Sequence, residues 1–321
     1  MNKVNHQFIS IDWGTTNFRL RLVDRASVSI ISDYKSDRGI LKTYDQYNAQ
    51  NEISQTDFFA DIILKAVTDI SHDLACLPIV LSGMASSSIG LQELPYADFP
   101  FKEDGTSLTR EVPSLKNGLT IILVSGVRSD TGMIRGEEIQ AIGLAEYMIG
   151  EEESGILILP GTHSKHMTYD KGIFSDLKNY MTGELFDVLS QKSILAKSVR
   201  KSDMTDAYNK SFITGLDIGA KGDLNTHLLS VRANDVIHHT DAHENYFYLS
   251  GLLIGDELKK LNHQSETIYL SASQPLFNLY KLALEHLYPA KNLTYFDQDI
   301  SDEALIRGQL KILKQYETYL K

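Results

Sequence analysis

The chain has 321 residues, 42% hydrophobic and 9% aromatic, which is globular and long enough for two cores. Its formal net charge of −11 disfavours nucleic acid and anionic lipid as partners, and no apolar run is long enough to span a bilayer. The polar opening residues Met1–His6 and a single cysteine, Cys76, which cannot form an internal disulfide, fit a reducing cytoplasm.

The first informative stretch is Ile9-Ser10-Ile11-Asp12-Trp13-Gly14-Thr15-Thr16-Asn17-Phe18-Arg19-Leu20-Arg21-Leu22-Val23. An apolar strand carries the Asp12 carboxylate into a Gly-Thr-Thr turn. A second strand leaves with Phe18, Leu20 and Leu22 alternating against Arg19 and Arg21. Gly14 lets the backbone approach a ligand, and Thr15, Thr16, Asn17 and the neighbouring amides can donate to phosphate oxygens. Asp12 can hold a hydrated Mg²⁺ beside them. A β-hairpin with a polar turn is the plain alternative.

A third strand is expected near Val28–Ser32. A helix follows from about Thr56 to Ile70, with Thr56 as N-cap and Phe59, Ile62, Ile63, Ala66, Val67 and Ile70 on one face. Cys76 stands beside Leu77, Ile79, Val80 and Leu81 and is expected as a packed core thiol. Pro78–Leu81 reads as a short buried strand feeding the loop that begins Ser82-Gly83-Met84. Residues 92–118, with Pro95, Pro100 and Pro113, read as an irregular insertion.

Leu119–Val124 is a further buried strand. It opens a segment holding Arg128, Asp130, Arg135, Gly136, Glu137 and Glu138, after which a helix runs to about Met148. A hydroxyl nucleophile benefits from a carboxylate that takes its proton, so Glu137 and Glu138 are candidate bases, with Asp130 behind them. Equally, both glutamates can simply favour a helix N-terminus. Arg135 suits a bidentate grip on a substrate carboxylate; its plain alternative is an ion pair with a neighbouring Glu. The polar break Glu151-Glu152-Glu153-Ser154-Gly155 is the expected domain boundary, separating residues 1–152 from 153–301. The final helix, about 302–321, is expected to pack back on the first domain.

The second half opens with Gly155-Ile156-Leu157-Ile158-Leu159-Pro160-Gly161-Thr162-His163-Ser164-Lys165-His166, another strand ending in a glycine-containing polar turn. Gly161, Thr162, Ser164 and Lys165 are candidates for phosphate, and Arg128, Arg135, His163 and Lys165 make an anionic substrate compatible with an acidic chain. Helices dominate to about Leu261, with Gly215, Gly219, Gly222, Gly251 and Gly255 suggesting close helix packing or helix breaks. Thr267–Leu270 is a strand running into Ser271-Ala272-Ser273, followed by a helix from about Pro275 to Leu287, the strand Leu293–Phe296 and the last helix. His238–Glu244 matches no metal-ligand spacing. There is no Walker loop, GxGxxG or GxSxG.

Two strand–turn–strand hairpins suit a nucleotide clamped between related lobes, the layout of the actin, hexokinase and Hsp70 superfamily. The βββαβ order of the first half resembles the ribonuclease H-like unit from which that superfamily is built. The expected fold is therefore α/β, two ribonuclease H-like domains with a nucleotide cleft between them.

The chain resembles the 2-dehydro-3-deoxygalactonokinase family of sugar-acid kinases. The matching stretches are Asp12-Trp13-Gly14-Thr15-Thr16, Ser82-Gly83-Met84 with Gly90 and Pro95-Tyr96, and Arg135-Gly136-Glu137-Glu138 with Gln140 and Gly143. They continue with Leu159-Pro160-Gly161-Thr162-His163-Ser164-Lys165, Met181-Thr182-Gly183-Glu184-Leu185 and Gly251-Leu252-Leu253-Ile254-Gly255. The resemblance implies ATP-dependent phosphorylation of 2-dehydro-3-deoxy-D-galactonate at its 6-hydroxyl, with Mg²⁺ as cofactor. Asp12 would hold the metal. Gly14, Thr15, Thr16, Asn17, Gly161, Thr162, Ser164, Lys165 and Ser271-Ala272-Ser273 would hold the nucleotide. Arg135, Arg128, Ser82, Gly83, Met84 and His163 would hold the substrate.

Two departures stand out. The family's acidic residue before Arg-Gly-Glu-Glu is replaced by Thr131-Gly132-Met133, with Asp130 displaced, and Ser271-Ala272-Ser273 stands where related kinases carry a glycine-rich adenine loop. Another small sugar acid or sugar, or a non-kinase role as phosphatase or nucleotide-binding regulator, is the alternative. A homodimer is left open.

Overall fold

The computed structural model describes residues 6–50, 52–148, 154–261, 267–289 and 292–319. Its described residues divide into two compact units. One takes those before Ser154 together with Asp170–Asp176 and the residues from Ile300 on; the other takes Ser154–Tyr169 and Leu177–Asp299. Most of the acidic break, Glu151–Glu153, lies outside the described residues.

In the first unit, β1 (Gln7–Trp13), β2 (Phe18–Asp24) and β3 (Ile30–Ser36) lead through α1 (Ile40–Asn48) and α2 (Gln55–Ile70) to β4 (Ile79–Gly83). The insertion holds three two-residue strands, β5 (Ala97–Asp98), β6 (Phe101–Lys102) and β7 (Arg110–Glu111). β8 (Ile121–Val124), β9 (Val127–Arg128), β10 (Met133–Ile134) and α3 (Glu137–Leu144) follow. The main sheet runs β3-β2-β1-β4-β8-β7. β1 is antiparallel to β2, placing Asp12 opposite Arg19, and parallel to β4, placing Asp12 opposite Ser82 and Trp13 opposite Gly83.

The period of two sorts this sheet into faces. Ile9, Ile11, Trp13, Phe18, Leu20 and Leu22 enter one core with Phe59, Ile63 and Val67 of α2. Ser10, Asp12, Arg19 and Arg21 take the opposite face.

The second unit begins with β11 (Ser154–Leu159), β12 (Ser164–Asp170) and β13 (Ile173–Tyr180). Their short connections join neighbouring strands, as only antiparallel pairs permit. The start of β13 lies with the first unit, where Ile173 and Phe174 pair with β6. Next come α4 (Thr182–Lys192), α5 (Asp206–Ala220), α6 (Leu224–His227), α7 (Ser230–Val236), α8 (Ala242–Leu258), β14 (Thr267–Ser271), α9 (Leu276–Leu287) and β15 (Leu293–Phe296). β14 is parallel to both β11 and β15. Each sheet therefore carries the ribonuclease H-like order: a three-stranded meander, then two parallel strands beside the first, as β3-β2-β1-β4-β8 and as β13-β12-β11-β14-β15. α10 (Gln298–Tyr319) lies from Ile300 on with the first unit.

α5 and α8 meet through glycines. A Cβ on Gly251 would overlap the Phe212 carbonyl, and one on Gly215 the Tyr248 carbonyl, so the two backbones touch. α8 is buried on nearly every side, which is why it shows no amphipathic stripe.

Two local expectations are corrected. The cap of α2 is Ser54, whose side chain accepts from the Asp57 amide, while Thr56 donates to the Leu91 carbonyl at 3.1 Å. Cys76 is exposed at the end of a 3-10 turn and donates to the Asp73 carbonyl at 3.0 Å, because that turn lifts it clear of the apolar strand beyond. α1 was not foreseen: only Ile40 and Thr43 of its nine residues are buried, too few to mark a helical period.

Candidate functional site

Parallel pairing brings the carboxyl ends of β1 and β4 together, with Asp12 between them. Gly83 ends β4 at φ +87, where a Cβ would lie 3.1 Å from Asp12 Oδ1 and 2.8 Å from the Trp13 carbonyl, so only glycine fits. A Cβ on Gly136, which precedes α3, would lie 3.4 Å from Gly83 Cα. The start of α3 thus stands over the end of β4, and the Glu137 charge is near enough to act on Asp12. Burial pushes Asp12 up to about 6; Arg21 and Arg19 oppose this, while Glu137 and Asp302 add to it.

The arginines are held in an ion-pair lattice. Asp302 of α10 meets Arg19 at 2.8 Å and Arg21 at 3.1 Å, and Asp33 meets Arg19 at 3.3 Å and Lys35 at 3.2 Å. From the same helix, buried Gln309 donates to the Ile11 carbonyl and to Ser82 Oγ, each at 2.9 Å, so Ser82 is committed to the framework. A cavity of about 520 Å³ opens beside Asp12, lined also by Gly14, Thr16, Asn17, Arg19, Lys35 and Ser36. Its donor set fits a metal-bound polyphosphate. One carboxylate leaves room for the waters that Mg²⁺ retains, and hydroxyl, amide and cationic groups surround the remaining space.

The two glutamates of α3 differ sharply. Glu138 is fully buried, and both its oxygens accept from the Gly136 amide, at 2.9 and 2.7 Å. Burial, reinforced by the neighbouring Glu137 charge, pushes it up to about 8. Glu137 is partly exposed and accepts from the Arg135 amide at 3.1 Å. The Arg135 guanidinium lies 4.1 Å over the Tyr96 ring and donates to the Ser86 carbonyl, to Ser86 Oγ at 2.6 Å and to the Tyr96 hydroxyl at 3.3 Å. Met84 is partly buried in the same loop. Arg128 is exposed and paired with Asp98 at 2.8 Å, and Asp130 is exposed nearby in the loop before β10.

In the second unit, the turn between β11 and β12 exposes Thr162 and His163. Ser164 is buried against the Tyr280 hydroxyl at 3.1 Å, and Lys165 is partly buried on β12. Behind them the buried Glu257 carboxylate bonds to the Tyr280 hydroxyl at 2.7 Å, to His166 Nε2 at 2.9 Å and to Thr182 Oγ1. His163 Nε2 meets Glu184 at 2.6 Å. Ser271 and Ala272 are buried at the end of β14 and Ser273 is exposed. A cavity of about 230 Å³ is polar at Gly161, Thr162 and Thr182 and apolar at Phe186, Tyr246, Leu253, Ile254, Leu276 and Leu279, a combination that suits a nucleoside joined to phosphate.

Arg19, Lys35, Ser86, Thr182, Glu257 and Tyr280 were not singled out as site residues in the sequence. Arg19 had a signal, a cation alternating within an apolar strand one residue past the turn. Thr182 had another, its place in the matching stretch Met181–Leu185, whereas Glu257 and Tyr280 had none, because their buried polar network is assembled from distant segments.

Two ribonuclease H-like sheets, each with a polar turn after its first strand, define a protein of the actin and hexokinase fold. A model of the 2-keto-3-deoxy-galactonokinase family matches residues 12–311, and the chain belongs to that family. It is 29% identical over 288 residues to a protein of Rhizobium meliloti (strain 1021) named a probable 2-dehydro-3-deoxygalactonokinase, covering 87% of this chain and 89% of that one. It is 28% identical, with the same coverage, to the 2-dehydro-3-deoxygalactonokinase of Escherichia coli (strain K12). A crystal structure of a Sinorhizobium meliloti protein, proposed to be such a kinase, superposes with a TM-score of 0.80 at 27% identity, covering 94% of this chain and 96% of that one. Family membership implies ATP as cosubstrate, usually a divalent metal, and a small-molecule acceptor. Among the described residues, no helix is long and apolar enough to cross a membrane.

Proposed function

We propose that this chain transfers the terminal phosphoryl group of ATP to the 6-hydroxyl of 2-dehydro-3-deoxy-D-galactonate. The observation that carries the reading is the gathering of Asp12, Gly83, Gly136 and Glu137 at the strand ends of the first unit. What supports the reading is that the Glu137 carboxylate is near enough for its charge to act on the buried Asp12 carboxylate.

Asp12 would hold Mg²⁺, which supplies charge neutralisation at the phosphates. Thr15, Thr16 and Asn17 donate to phosphate oxygens, and Arg19 and Lys35 line the same cavity as cations. Gly161 and Thr162 offer the second set of donors, with Ser164 anchoring their turn on Tyr280. Arg135, whose guanidinium lies over the Tyr96 ring, grips the sugar-acid carboxylate. Glu137 takes the proton of the 6-hydroxyl as that oxygen bonds to the γ-phosphorus of ATP and the bond from that phosphorus to the β,γ-bridging oxygen breaks, with ADP leaving. Glu138 is turned into the core and held by Gly136, so it supports the helix start and does not act as the base.

The test is ADP release with ATP and Mg²⁺ against a panel of 2-keto-3-deoxy sugar acids, with the phosphorylated carbon located by NMR. ADP formed only with 2-dehydro-3-deoxy-D-galactonate, as its 6-phosphate, is the expected result. Preference for another acid, or ADP release independent of any acid, would overturn the substrate or the kinase reading respectively.

A further inference from the structure

We infer that the first turns of α1 and α4 are straps that orient the donors of the two phosphate-type turns, with Gly39 and Gly183 as the positioning residues that let each strap close. The inference rests on the reading that those turns bind the phosphates of ATP. In the first unit the amides of Gly39, Ile40 and Leu41 donate to the carbonyls of Thr16 at 3.2 Å, Gly14 at 2.9 Å and Thr15 at 3.2 Å. Trp13 Nε1 adds a bond to the Arg38 carbonyl at 2.8 Å. A Cβ on Gly39 would overlap the Thr15 carbonyl and the Thr16 backbone. In the second unit the Glu184 amide donates to the Thr162 carbonyl at 2.9 Å. A Cβ on Gly183 would lie 2.5 Å from the Gly161 carbonyl and 2.8 Å from Thr162 Cα. Thr182 ties the same helix start to Glu257.

The two arrangements share one plan. In each unit the helix after the third strand turns its start onto the loop after the first strand. The first amides of a helix have no partner within it, and here they are committed to carbonyls of the turn. The consequence follows from peptide geometry. A trans peptide points its C=O and the next N–H in opposite directions. Holding the carbonyls of Gly14, Thr15 and Thr16 against α1 therefore aims the amides of Thr15, Thr16 and Asn17 away from it. Holding the Thr162 carbonyl against α4 likewise aims the His163 amide outward. Outward amides in succession make an anion-binding concavity, so the straps preset the donors before the nucleotide arrives.

Proline offers a selective probe, since it removes an N–H that the first helical turn does not itself use and is tolerated there. Leu41→Pro and Glu184→Pro each delete one strap bond; Leu41→Ala and Glu184→Ala keep the amide and change only the side chain. ADP affinity measured by calorimetry is expected to be at least tenfold weaker in each proline variant than in its alanine partner, with sugar-acid KM of the two Leu41 variants within twofold of the wild type. Folded proline variants that bind ADP like their alanine partners would overturn the straps.

Amide exchange of the wild-type protein gives a second measurement that needs no variant. Without ligand, the Gly39, Ile40 and Leu41 amides should already be protected, and ADP should newly protect those of Thr15, Thr16 and Asn17. Rapid exchange at Gly39–Leu41 in the free protein removes the inference even if ADP binds. Failure of the wild type to bind ADP while Gly39–Leu41 are protected removes the nucleotide reading and leaves the straps as a feature of the fold alone.

Discussion

Replacing Glu138 with Gln tests the division of labour at the start of α3 through stability, independently of catalysis. The Glu138 carboxyl is fully buried, and burial with the adjacent Glu137 charge raises it from an ordinary 4.5 to about 8. A carboxyl with a folded pKa above its unfolded one binds more protons in the folded state between those values. Its contribution is fully present below about 4.5, declines as pH rises and is lost on passing about 8. At about 1.4 kcal/mol per pH unit the upper limit is ~5 kcal/mol, and relaxation around a buried charge reduces this to about 2–3 kcal/mol. Glutamine reproduces the protonated acid in shape and can still accept from the Gly136 amide. In denaturant titrations from pH 5 to pH 9, Glu138→Gln should match the wild type at the acid end and exceed it by about 2–3 kcal/mol at the alkaline end. A stability difference that stays constant across that range would refute the protonated, inward-facing role of Glu138.

At the neighbouring position, Glu137→Gln should lower kcat by about 10²- to 10⁴-fold with little change in KM, while Glu138→Gln stays within several-fold at pH 7; equal falls in both would remove the distinction between them. Arg135→Lys keeps the charge but loses the planar contact with Tyr96 and Ser86, so sugar-acid KM should rise tenfold or more with ADP affinity unchanged. A change in ADP affinity alone would place the substrate elsewhere. Asp12→Asn should fold normally and lose at least about 10²-fold in turnover, since phosphoryl transfer depends on metal-borne charge neutralisation; near-normal rates at saturating Mg²⁺ would take Asp12 out of the mechanism. Gly251→Ala forces apart the α5 and α8 backbones and should destabilise by several kcal/mol, and an unchanged melting temperature would contradict their contact.

Much was legible without coordinates. The alternation through Ile9–Trp13 and Phe18–Val23 marks a two-faced hairpin, because side-chain burial in a strand repeats every second residue. The run Ile156–Leu159, ending at Pro160 and Gly161, marks the matching strand of the second sheet for a different reason, since a short continuous apolar run closed by a turn suits a strand covered on both faces. The glycines of α5 and α8 left close packing or helix breaks open, and the structure shows close packing at Gly215, Gly219, Gly251 and Gly255. Periodicity and turn chemistry thus determined both hairpins and the alternation of strands and helices.

Only the tertiary structure decided which distant groups meet. Parallel pairing of β1 with β4 brings Asp12 to Gly83, and no local pattern encodes that register. Glu137 and Glu138 are the same residue type in adjacent positions. Their opposite fates follow from the helix turning about 100° per residue, which sends one carboxylate into the core and leaves the other partly exposed. The seating of α1 on the first turn was equally hidden, because it is made by backbone amides and a missing side chain at Gly39. A sequence records side chains and their spacing; which backbone donors reach which carbonyls is set only when the chain closes on itself.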